Sequence, residues 1–291
     1  MRILILLLAL SLAGCASEGS IGVHFCPSCA EALASLILNA SSFDCAFYSL
    51  SDPLVLDAIS RSNASRRFVF DRYVGIDGRV KGKYAKGLMH NKFCVFDESV
   101  VFTGSYNPNS LPYLNNVLVI DSRRVAKNYL SEFDELYSGT FGKGKKTFRA
   151  EADVNGSLVE TYFCPEDDCR GKALDALKSA ESSIYFFVFS FTDDGIAKVL
   201  LEKDVVVRGI MESSQNSQWS VYEKLKDEID VELYEEGVMH NKVFVIDNST
   251  VITGSWNPTK NGSENNDENM LIIHDERIAM MYVEEFLSHK H

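Results

Sequence analysis

One pattern of residues occurs twice in this chain, and it constrains the fold and the chemistry more than any other feature. Both copies have the form HNKxxxxDxxxxxxGSxN, and they lie 150 residues apart. The members are His90, Asn91, Lys92, Asp97, Gly104, Ser105 and Asn107 in the first copy and His240, Asn241, Lys242, Asp247, Gly254, Ser255 and Asn257 in the second. Each copy supplies a nucleophilic imidazole, an ammonium group and an amide. Two such sets are the functional groups that a phosphoryl-transfer site uses.

The first fifteen residues have the layout of a secretion signal. Arg2 precedes an apolar run that is too short to span a bilayer comfortably, and the segment that ends Leu-Ala-Gly-Cys15 resembles the bacterial lipobox. In a lipobox the signal is cut before the cysteine, which then receives lipid, so Cys15 is the predicted lipid anchor. An ordinary cleaved signal with an incidental cysteine is the alternative. We therefore expect an extracytoplasmic protein, either anchored to a membrane as a lipoprotein or secreted.

Composition bounds the size of the fold and the kind of partner. The 291 residues are 46% hydrophobic, which is enough for two ordinary domains or one larger duplicated domain. The net charge of −12 gives no overall basic excess of the kind with which nucleic-acid binders release counterions from phosphates. A dense basic run lies at residues 143–149, and it is either a solvated linker or a patch that attracts phosphate.

The cysteines fit an exported protein. Four of them lie in corresponding Phe-Cys-Pro segments of the two halves, and these are Cys26, Cys29, Cys164 and Cys169. They are disulfide candidates, either one bond in each half or two bonds that cross between the halves. A four-thiolate zinc site is a further interpretation, although its spacing is loose. Cys45 and Cys94 lie in apolar runs, which predicts small buried hydrophobic side chains.

Each half shows the same order of predicted elements. Helices are predicted at residues 30–40, 172–180 and 221–226, and buried strands at 43–50, 68–70, 184–191 and 205–207. An amphipathic helix closes each half, near 125–133 and 278–286. Strands that alternate with helices predict an α/β fold of two duplicated halves, each a mixed or parallel sheet flanked by helices. We place the halves at 21–140 and 157–291, with a linker at 141–156.

The motif residues are predicted to lie on neighbouring strands. Short β-branched or aromatic runs follow each lysine and precede each Gly-Ser pair. Because side chains two residues apart on a strand point to the same face, His90 and Lys92 should lie side by side. The closing helices are offset by 153 residues rather than 150, which predicts a small insertion in a polar loop near 261–267.

The doubled HxKxxxxD with Gly-Ser-x-Asn resembles the phospholipase D superfamily, the HKD phosphodiesterases, from about residue 23 to residue 286. The second half, with Met-His-Asn-Lys and Gly-Ser-Trp-Asn-Pro-Thr, is most similar to the small endonuclease-type members. Those members carry one motif in each chain and dimerise. The resemblance therefore implies a pseudo-dimer within one chain, a single active site shared by the two halves, and a monomeric protein.

The resemblance also implies a mechanism. Either His90 or His240 attacks phosphorus to form a phosphohistidine, and the other protonates the leaving oxygen and then activates water. Lys92 and Lys242 hold the non-bridging oxygens. The further donors to these oxygens are Ser105, Ser255, Asn107 and Asn257. Gly104 and Gly254 allow close approach of the backbone. We expect no catalytic metal and no cofactor.

Three acidic positions are assigned by the same pattern. Asp97 and Asp247 lie five residues beyond the lysines, which predicts structural charges that pair or cap locally. Glu268 lies where superfamily members place an acid that orients a catalytic histidine. The corresponding residue of the first half is Asn115, and an amide stabilises an imidazolium less than a carboxylate does. The two histidines are therefore predicted to be inequivalent, and the sequence does not say which one attacks.

The expected function is hydrolysis of a phosphodiester, with a phospholipid headgroup bond favoured as substrate. An extracytoplasmic endonuclease that cleaves DNA or RNA is one alternative. A phosphatidyl transferase is chemically adjacent, because an alcohol can replace water on the same intermediate. An inactive binding lipoprotein is the alternative from another class, since Asn115 replaces one expected carboxylate.

Overall fold

The computed structural model describes residues 19–81 and 86–290. The predicted signal and its lipid anchor, Cys15, therefore lie outside the described residues. Among the described residues, no helix is both long enough and apolar enough to cross a membrane.

The elements follow the duplicated order that the sequence predicts. The first half contains β1 Ser20–Phe25, α1 Cys29–Asn39, β2 Ser42–Phe47, α2 Pro53–Arg61, β3 Ser65–Phe70, β4 Arg79–Val80, β5 Lys92–Phe96, β6 Val100–Gly104, β7 Tyr113–Leu114, β8 Asn116–Asp121 and α3 Arg123–Ser138. The second half contains β9 Glu151–Val154, β10 Ser157–Cys164, α4 Cys169–Lys178, β11 Ser183–Val188, α5 Asp194–Glu202, β12 Val206–Glu212, a 3₁₀ turn Ser213–Gln215, α6 Tyr222–Leu225, β13 Asp230–Tyr234, β14 Val238–Met239, β15 Lys242–Ile246, β16 Thr250–Gly254, α7 Lys260–Glu264, β17 Glu268–His274 and α8 Glu276–His289.

Each half is built on one mixed sheet. The strand orders are β1-β8-β6-β5-β2-β3-β4 in the first half and β13-β12-β11-β15-β16-β17-β10-β9 in the second. These sheets, with helices packed on them, confirm the predicted α/β fold of two duplicated halves. The second sheet begins at Glu151, so its edge strand β9 takes four of the residues that we interpreted as linker. The insertion near residue 261 forms the short helix α7 instead of a polar loop.

The largest hydrophobic core lies between the halves. It contains buried residues of both sheets together with the apolar faces of α3 and α8. For example, the ring of Tyr129 on α3 lies 4.9 Å from Phe93 of the first half and 5.1 Å from Phe163 of the second. Two smaller cores cover the outer faces of the sheets, under α1 and α2 in one half and under α4 and α5 in the other. The two halves therefore bury their inner faces against each other.

All six cysteines in the described residues form disulfides. Cys26–Cys29 and Cys164–Cys169 give one bond in each half, so the crossing pairs and the four-thiolate zinc site are wrong. The predicted burial of Cys45 and Cys94 is confirmed, but these residues are bonded to each other and are not separate hydrophobic side chains. They lie directly opposite on antiparallel strands β2 and β5, and the sequence does not reveal that register.

Candidate active site

The two motif copies lie on the central strands of the two sheets. Lys92 is the first residue of β5, and β5 turns back through a tight hairpin into β6, which ends at Gly104. Lys242, β15 and β16 repeat this arrangement in the second half. Each hairpin therefore brings its Gly-Ser pair back beside its own His-Asn-Lys segment. The glycine at the end of each hairpin is required, because a Cβ on Gly104 would lie 2.2 Å from the Asn116 carbonyl oxygen.

The two motif aspartates lie at the far ends of these hairpins. Asp97 Oδ1 accepts hydrogen bonds from the backbone N–H groups of Ser41 and Ser42, at 3.0 and 2.8 Å. Asp247 Oδ1 accepts in the same way from Ser182 and Ser183, at 2.7 and 2.9 Å. Each carboxylate holds the loop between a helix and the following strand, which agrees with the predicted structural role.

Each candidate catalytic histidine is held by a residue of the opposite half. His90 Nδ1 lies 2.7 Å from Glu268 Oε2. His240 Nδ1 lies 2.9 Å from Asn115 Oδ1 and 3.1 Å from the Ser105 carbonyl oxygen. Because both contacts of His240 are acceptors, its Nδ1 carries a hydrogen, and its Nε2 is the atom that can gain or lose a proton in a reaction. The structure thus brings His90, His240 and Glu268 together and shows which histidine receives the carboxylate.

Backbone hydrogen bonds between the halves place each histidine beside its partner from the opposite half. The N–H of His90 donates to the Asp267 carbonyl at 2.9 Å, and the N–H of His240 donates to the Leu114 carbonyl at 2.8 Å. Strands β7 and β14 pair across the same boundary. The segment before each histidine is therefore bonded to the segment before the other half's Asn115 or Glu268.

Two asparagines that the sequence analysis did not assign also cross between the halves. Asn116 Nδ2 donates to Thr253 Oγ1 at 2.8 Å, and Asn269 Nδ2 donates to Thr103 Oγ1 at 2.9 Å. Asn269 Oδ1 additionally accepts from the N–H of Lys92 at 3.1 Å. The sequence did contain a signal for these two asparagines, because each directly follows one of the aligned positions 115 and 268.

The two motif lysines are almost fully buried. Lys92 is 1% exposed and Lys242 is 2% exposed. Each ammonium group donates to the carbonyl of its own motif histidine, at 2.7 and 2.6 Å. Each also lies over an aromatic ring, Tyr48 for Lys92 and Phe189 for Lys242, at 5.7 and 4.8 Å from the ring centre. Sequence reasoning missed both aromatic residues, which also pack against the two histidine rings.

The serine hydroxyls contact the residues that hold the two histidines. Ser255 Oγ donates to Glu268 Oε2 at 2.7 Å, and Ser105 Oγ donates to Asn115 Oδ1 at 3.0 Å. Each hydroxyl therefore supports the residue that holds a histidine, whereas the sequence predicts a donor to the substrate phosphate. The amides of Asn107 and Asn257 each place their side-chain oxygen in a buried position without a hydrogen-bond partner among the described residues.

Burial and crowded positive charge change the pKa values of the site. Burial lowers the pKa of His90, the two lysines lower it further, and Glu268 opposes them. Burial and the charges of Lys242, Lys92 and His90 hold the pKa of His240 well below its usual value. Burial lowers the pKa of Lys92 to about 7 and that of Lys242 well below its usual value. An anion bound here would relieve this repulsion, so the site is suited to a phosphate group.

Comparison with known proteins agrees with this geometry. The family described as cardiolipin synthase, PLD-like domain matches residues 60–137 and 173–290, which include both motif copies. The chain belongs to the phospholipase D superfamily.

Individual relatives and structural neighbours give the same result. The chain is 32% identical to a phospholipase D of Rickettsia prowazekii over 168 residues, or 56% of this chain and 82% of the relative. It is 25% identical to a mitochondrial cardiolipin hydrolase of Chlamydomonas reinhardtii over 199 residues, or 57% of this chain and 89% of the relative. The phosphatidylserine synthase of Haemophilus influenzae Rd KW20 shares the fold, with a TM-score of 0.71 and 14% identity over 92% of this chain and 85% of that chain.

Proposed function

We propose that this phospholipase D superfamily member hydrolyses the headgroup phosphodiester bond of a phospholipid through a phosphohistidine on His90. The observation that carries the proposal is the crossed pair of histidines, each held through Nδ1 by the opposite half. This arrangement leaves the Nε2 atom of each imidazole for chemistry. Two histidines in one buried site divide a difficult displacement into two steps.

His90 is the better nucleophile of the two. Its Nδ1 is paired with a fully buried carboxylate, and the charges of His90 and Lys92 keep the pKa of Glu268 low despite burial. A carboxylate in this position makes the imidazole more basic and stabilises the positive charge that develops when Nε2 bonds to phosphorus. His240 has only amide and carbonyl partners, so its protonated form is a strong acid, which suits proton donation.

The reaction begins with His90 neutral and His240 protonated, and the negative charge of the bound phosphodiester favours this protonated form. His90 Nε2 forms a bond to phosphorus, the bond from phosphorus to the headgroup oxygen breaks, and that oxygen takes a proton from His240. A water molecule then attacks phosphorus and gives a proton to His240, while the bond between nitrogen and phosphorus breaks. The products are the free headgroup alcohol and phosphatidic acid, and both imidazoles return to their initial states. Lys92 and Lys242 stabilise the charge on the non-bridging oxygens throughout.

A cavity beside His240 supports a lipid substrate. Its volume is about 430 Å³, and Tyr113 in its wall has a ring centre 6.0 Å from that of His240. Much of the lining is apolar or aromatic and, within the described part of the chain, it includes no lysine or arginine; examples are Pro27, Tyr106, Leu111 and Leu114. A nucleic-acid strand carries a charge at every nucleotide and calls for cations along its path. The names of the relatives, phospholipase D and cardiolipin hydrolase, point in the same direction.

Headgroup release from phospholipid vesicles tests the proposal. The purified chain should release the free headgroup and leave phosphatidic acid, with calcium present and in EDTA. Single-stranded DNA and RNA serve as competing substrates, and a primary alcohol serves as a competing acceptor. Cleavage of nucleic acid without lipid hydrolysis would identify a nuclease, and efficient transfer to the alcohol would identify a transferase. Either result would overturn the hydrolysis of phospholipid.

The pH dependence of kcat/KM should show the ionisation of Lys92. In the free enzyme this ammonium group must be protonated to bind phosphate, so kcat/KM should be high below pH 7 and fall as pH rises through about 7. His90 must be neutral to attack, and its lowered pKa places the acid limb below the ordinary histidine value of 6.5. The alkaline limb of kcat should lie at higher pH, because bound phosphate raises the pKa values of Lys92 and His240, and both must be protonated in the complex. Initial rates in constant-ionic-strength buffers measure both profiles.

A Lys92→Arg variant provides the control for this pH profile. Its guanidinium stays charged throughout, so the fall in kcat/KM that comes from Lys92 should disappear, and the alkaline limb that remains should come from His240. A wild-type profile that stays flat through pH 7, or an unchanged limb in Lys92→Arg, would contradict the assignment.

A further inference from the structure

A second group of ionisable side chains lies behind the active site, at the boundary between the halves. Glu132 and Glu135 lie one turn apart on α3, and Glu166 lies in the turn between β10 and α4. One carboxylate oxygen from each lies within 4.8 Å of the other two. Residues of both halves thus place three carboxylates around one point.

Several buried oxygen atoms near these carboxylates have no hydrogen-bond partner among the described residues. Asn91 is fully buried, its Nδ2 donates to Glu132 Oε1 at 3.2 Å, and its Oδ1 has no hydrogen-bond partner. Glu166 Oε2 is likewise buried without a partner. Asp267 is 2% exposed; its Oδ1 accepts from the N–H of Gly142 at 2.5 Å, whereas its Oδ2 has no partner. Buried oxygen atoms without donors are costly unless something else satisfies them.

The charges of these groups reinforce one another. Burial raises the pKa of Glu132 well above its usual value, and the charges of Glu166, Asp267 and Glu135 raise it further. Burial also raises the pKa values of Glu166 and Asp267, each to about 7, although Gly142 and Lys81 oppose the shift at Asp267. Lys145 contributes its backbone N–H to Glu135, while its side chain is exposed.

The linker at residues 141–156 packs against these carboxylates. Gly144 lies against two of the carboxylates, since a Cβ at this residue would lie 2.3 Å from Glu135 Oε2 and 2.4 Å from Glu166 Oε1. Any larger residue would push into the carboxylates. The space between them is therefore kept free of side-chain atoms.

This group is absent from the corresponding place in the other copy. With the offset of 153 that relates the closing helices, Glu132 corresponds to Glu285, but Glu135 corresponds to Ser288 and Asp267 to Leu114. The Phe-Cys-Pro segments place Ser28 opposite Glu166. Glu285 instead has an imidazole partner, His289, at 3.1 Å. The carboxylate group is thus a feature of one boundary and not of the duplicated scaffold.

We propose that Glu132, Glu135 and Glu166, with the amide of Asn91 beside them, form a binding site for a divalent cation of the calcium type. Calcium prefers several carboxylate and carbonyl oxygens in irregular geometry, whereas magnesium retains water and an octahedral shell. Asp267 adds negative charge beside the site.

The site would join four parts of the molecule: α3, the linker, the turn at Glu166 and the motif strand at Asn91. Asn91 lies between His90 and Lys92, and the carbonyl of Asp267 receives the N–H of His90. The cation would therefore stabilise the boundary that aligns the histidines without entering the reaction. The inference is independent of which phosphodiester the chain cleaves.

Calcium titration of the chelator-treated chain tests this inference. Isothermal titration with calcium chloride should show one site, and a hundredfold excess over the Kd should raise the unfolding temperature by roughly 5 °C or more. Glu132→Gln and Glu166→Gln should each weaken binding at least about tenfold and abolish the thermal shift. Glu285→Gln is the matched control from the other half and should bind as the wild type does. Magnesium chloride should give a smaller shift.

Three results would overturn the proposal: no heat and no thermal shift for the wild-type chain, unchanged binding in both glutamine variants, or equal loss in Glu285→Gln. Circular dichroism shows that each variant is folded before titration. Because the readouts are binding and unfolding, they are separate from the vesicle assay, and either proposal can fail alone.

Discussion

Replacement of His90 by alanine should reduce phospholipid hydrolysis by about 10⁴-fold or more, and His240→Ala should have a similar effect on natural substrates. In the proposed mechanism His90 supplies the nitrogen that bonds to phosphorus, so no covalent step remains without it. In the same mechanism His240 supplies the proton for a poor alkoxide leaving group. His274→Ala is the matched control, because this partly exposed histidine pairs with Glu160 on the sheet of the second half and should leave the rate unchanged.

A substrate with a good leaving group separates the two roles. A p-nitrophenyl phosphodiester needs little proton donation, so His240→Ala should still release a burst of p-nitrophenol and accumulate a phosphohistidine that acid-labile phosphate analysis detects. His90→Ala should give neither. A burst in His90→Ala with none in His240→Ala would reverse the assignment, and full activity in either alanine variant would rule out a shared site.

Replacement of Glu268 by glutamine should lower kcat/KM by roughly 10²- to 10³-fold, because His90 loses the carboxylate that stabilises its cationic form. The charge of Glu268 raises the pKa of His90 in the wild type. Its removal should therefore move the acid limb of kcat/KM to lower pH, which a merely structural change would not do. Rate profiles measured against pH give both quantities.

Asn115→Asp is the complementary variant from the first half. It places a carboxylate where the amide oxygen now lies 2.9 Å from His240 Nδ1, which should raise the pKa of His240. The alkaline limb of kcat should then move to higher pH, because His240 must be protonated when the headgroup leaves.

If Glu268→Gln leaves both the rate and the acid limb unchanged, the crossed pairing has no role in catalysis.

Much of the site followed from the linear pattern. The equal spacing in both copies places His90 and Lys92 on one strand face, and the hairpin that follows returns Ser105 and Asn107 beside them. The local role of Asp97 and Asp247 followed from their distance beyond the lysines. The alignment of Asn115 with Glu268 predicted that the histidines are inequivalent, and the structure agrees. The lipid anchor at Cys15 lies outside the described residues, and both the anchor and the substrate stay predictions.

Other features depended on contacts between distant parts of the chain. The bond between Cys45 and Cys94 requires the register of two antiparallel strands, and each cysteine alone looks like a buried apolar residue. The serine hydroxyls bind Glu268 and Asn115 because the hairpin ends approach β17 and β8, and spacing within the motif contains no information about those strands. Tyr48 and Phe189 lie outside the motifs, so no sequence signal connected them with the lysines.

The sequence by itself determined the candidate catalytic residues and their duplication, because strand alternation and hairpin turns act over a few residues and the same residues recur at constant spacing. Only the tertiary structure decided that Glu268 holds His90 and Asn115 holds His240. This crossed pairing depends on how the inner faces of the two sheets pack around α3 and α8. Packing between residues more than a hundred positions apart leaves no local pattern in the sequence.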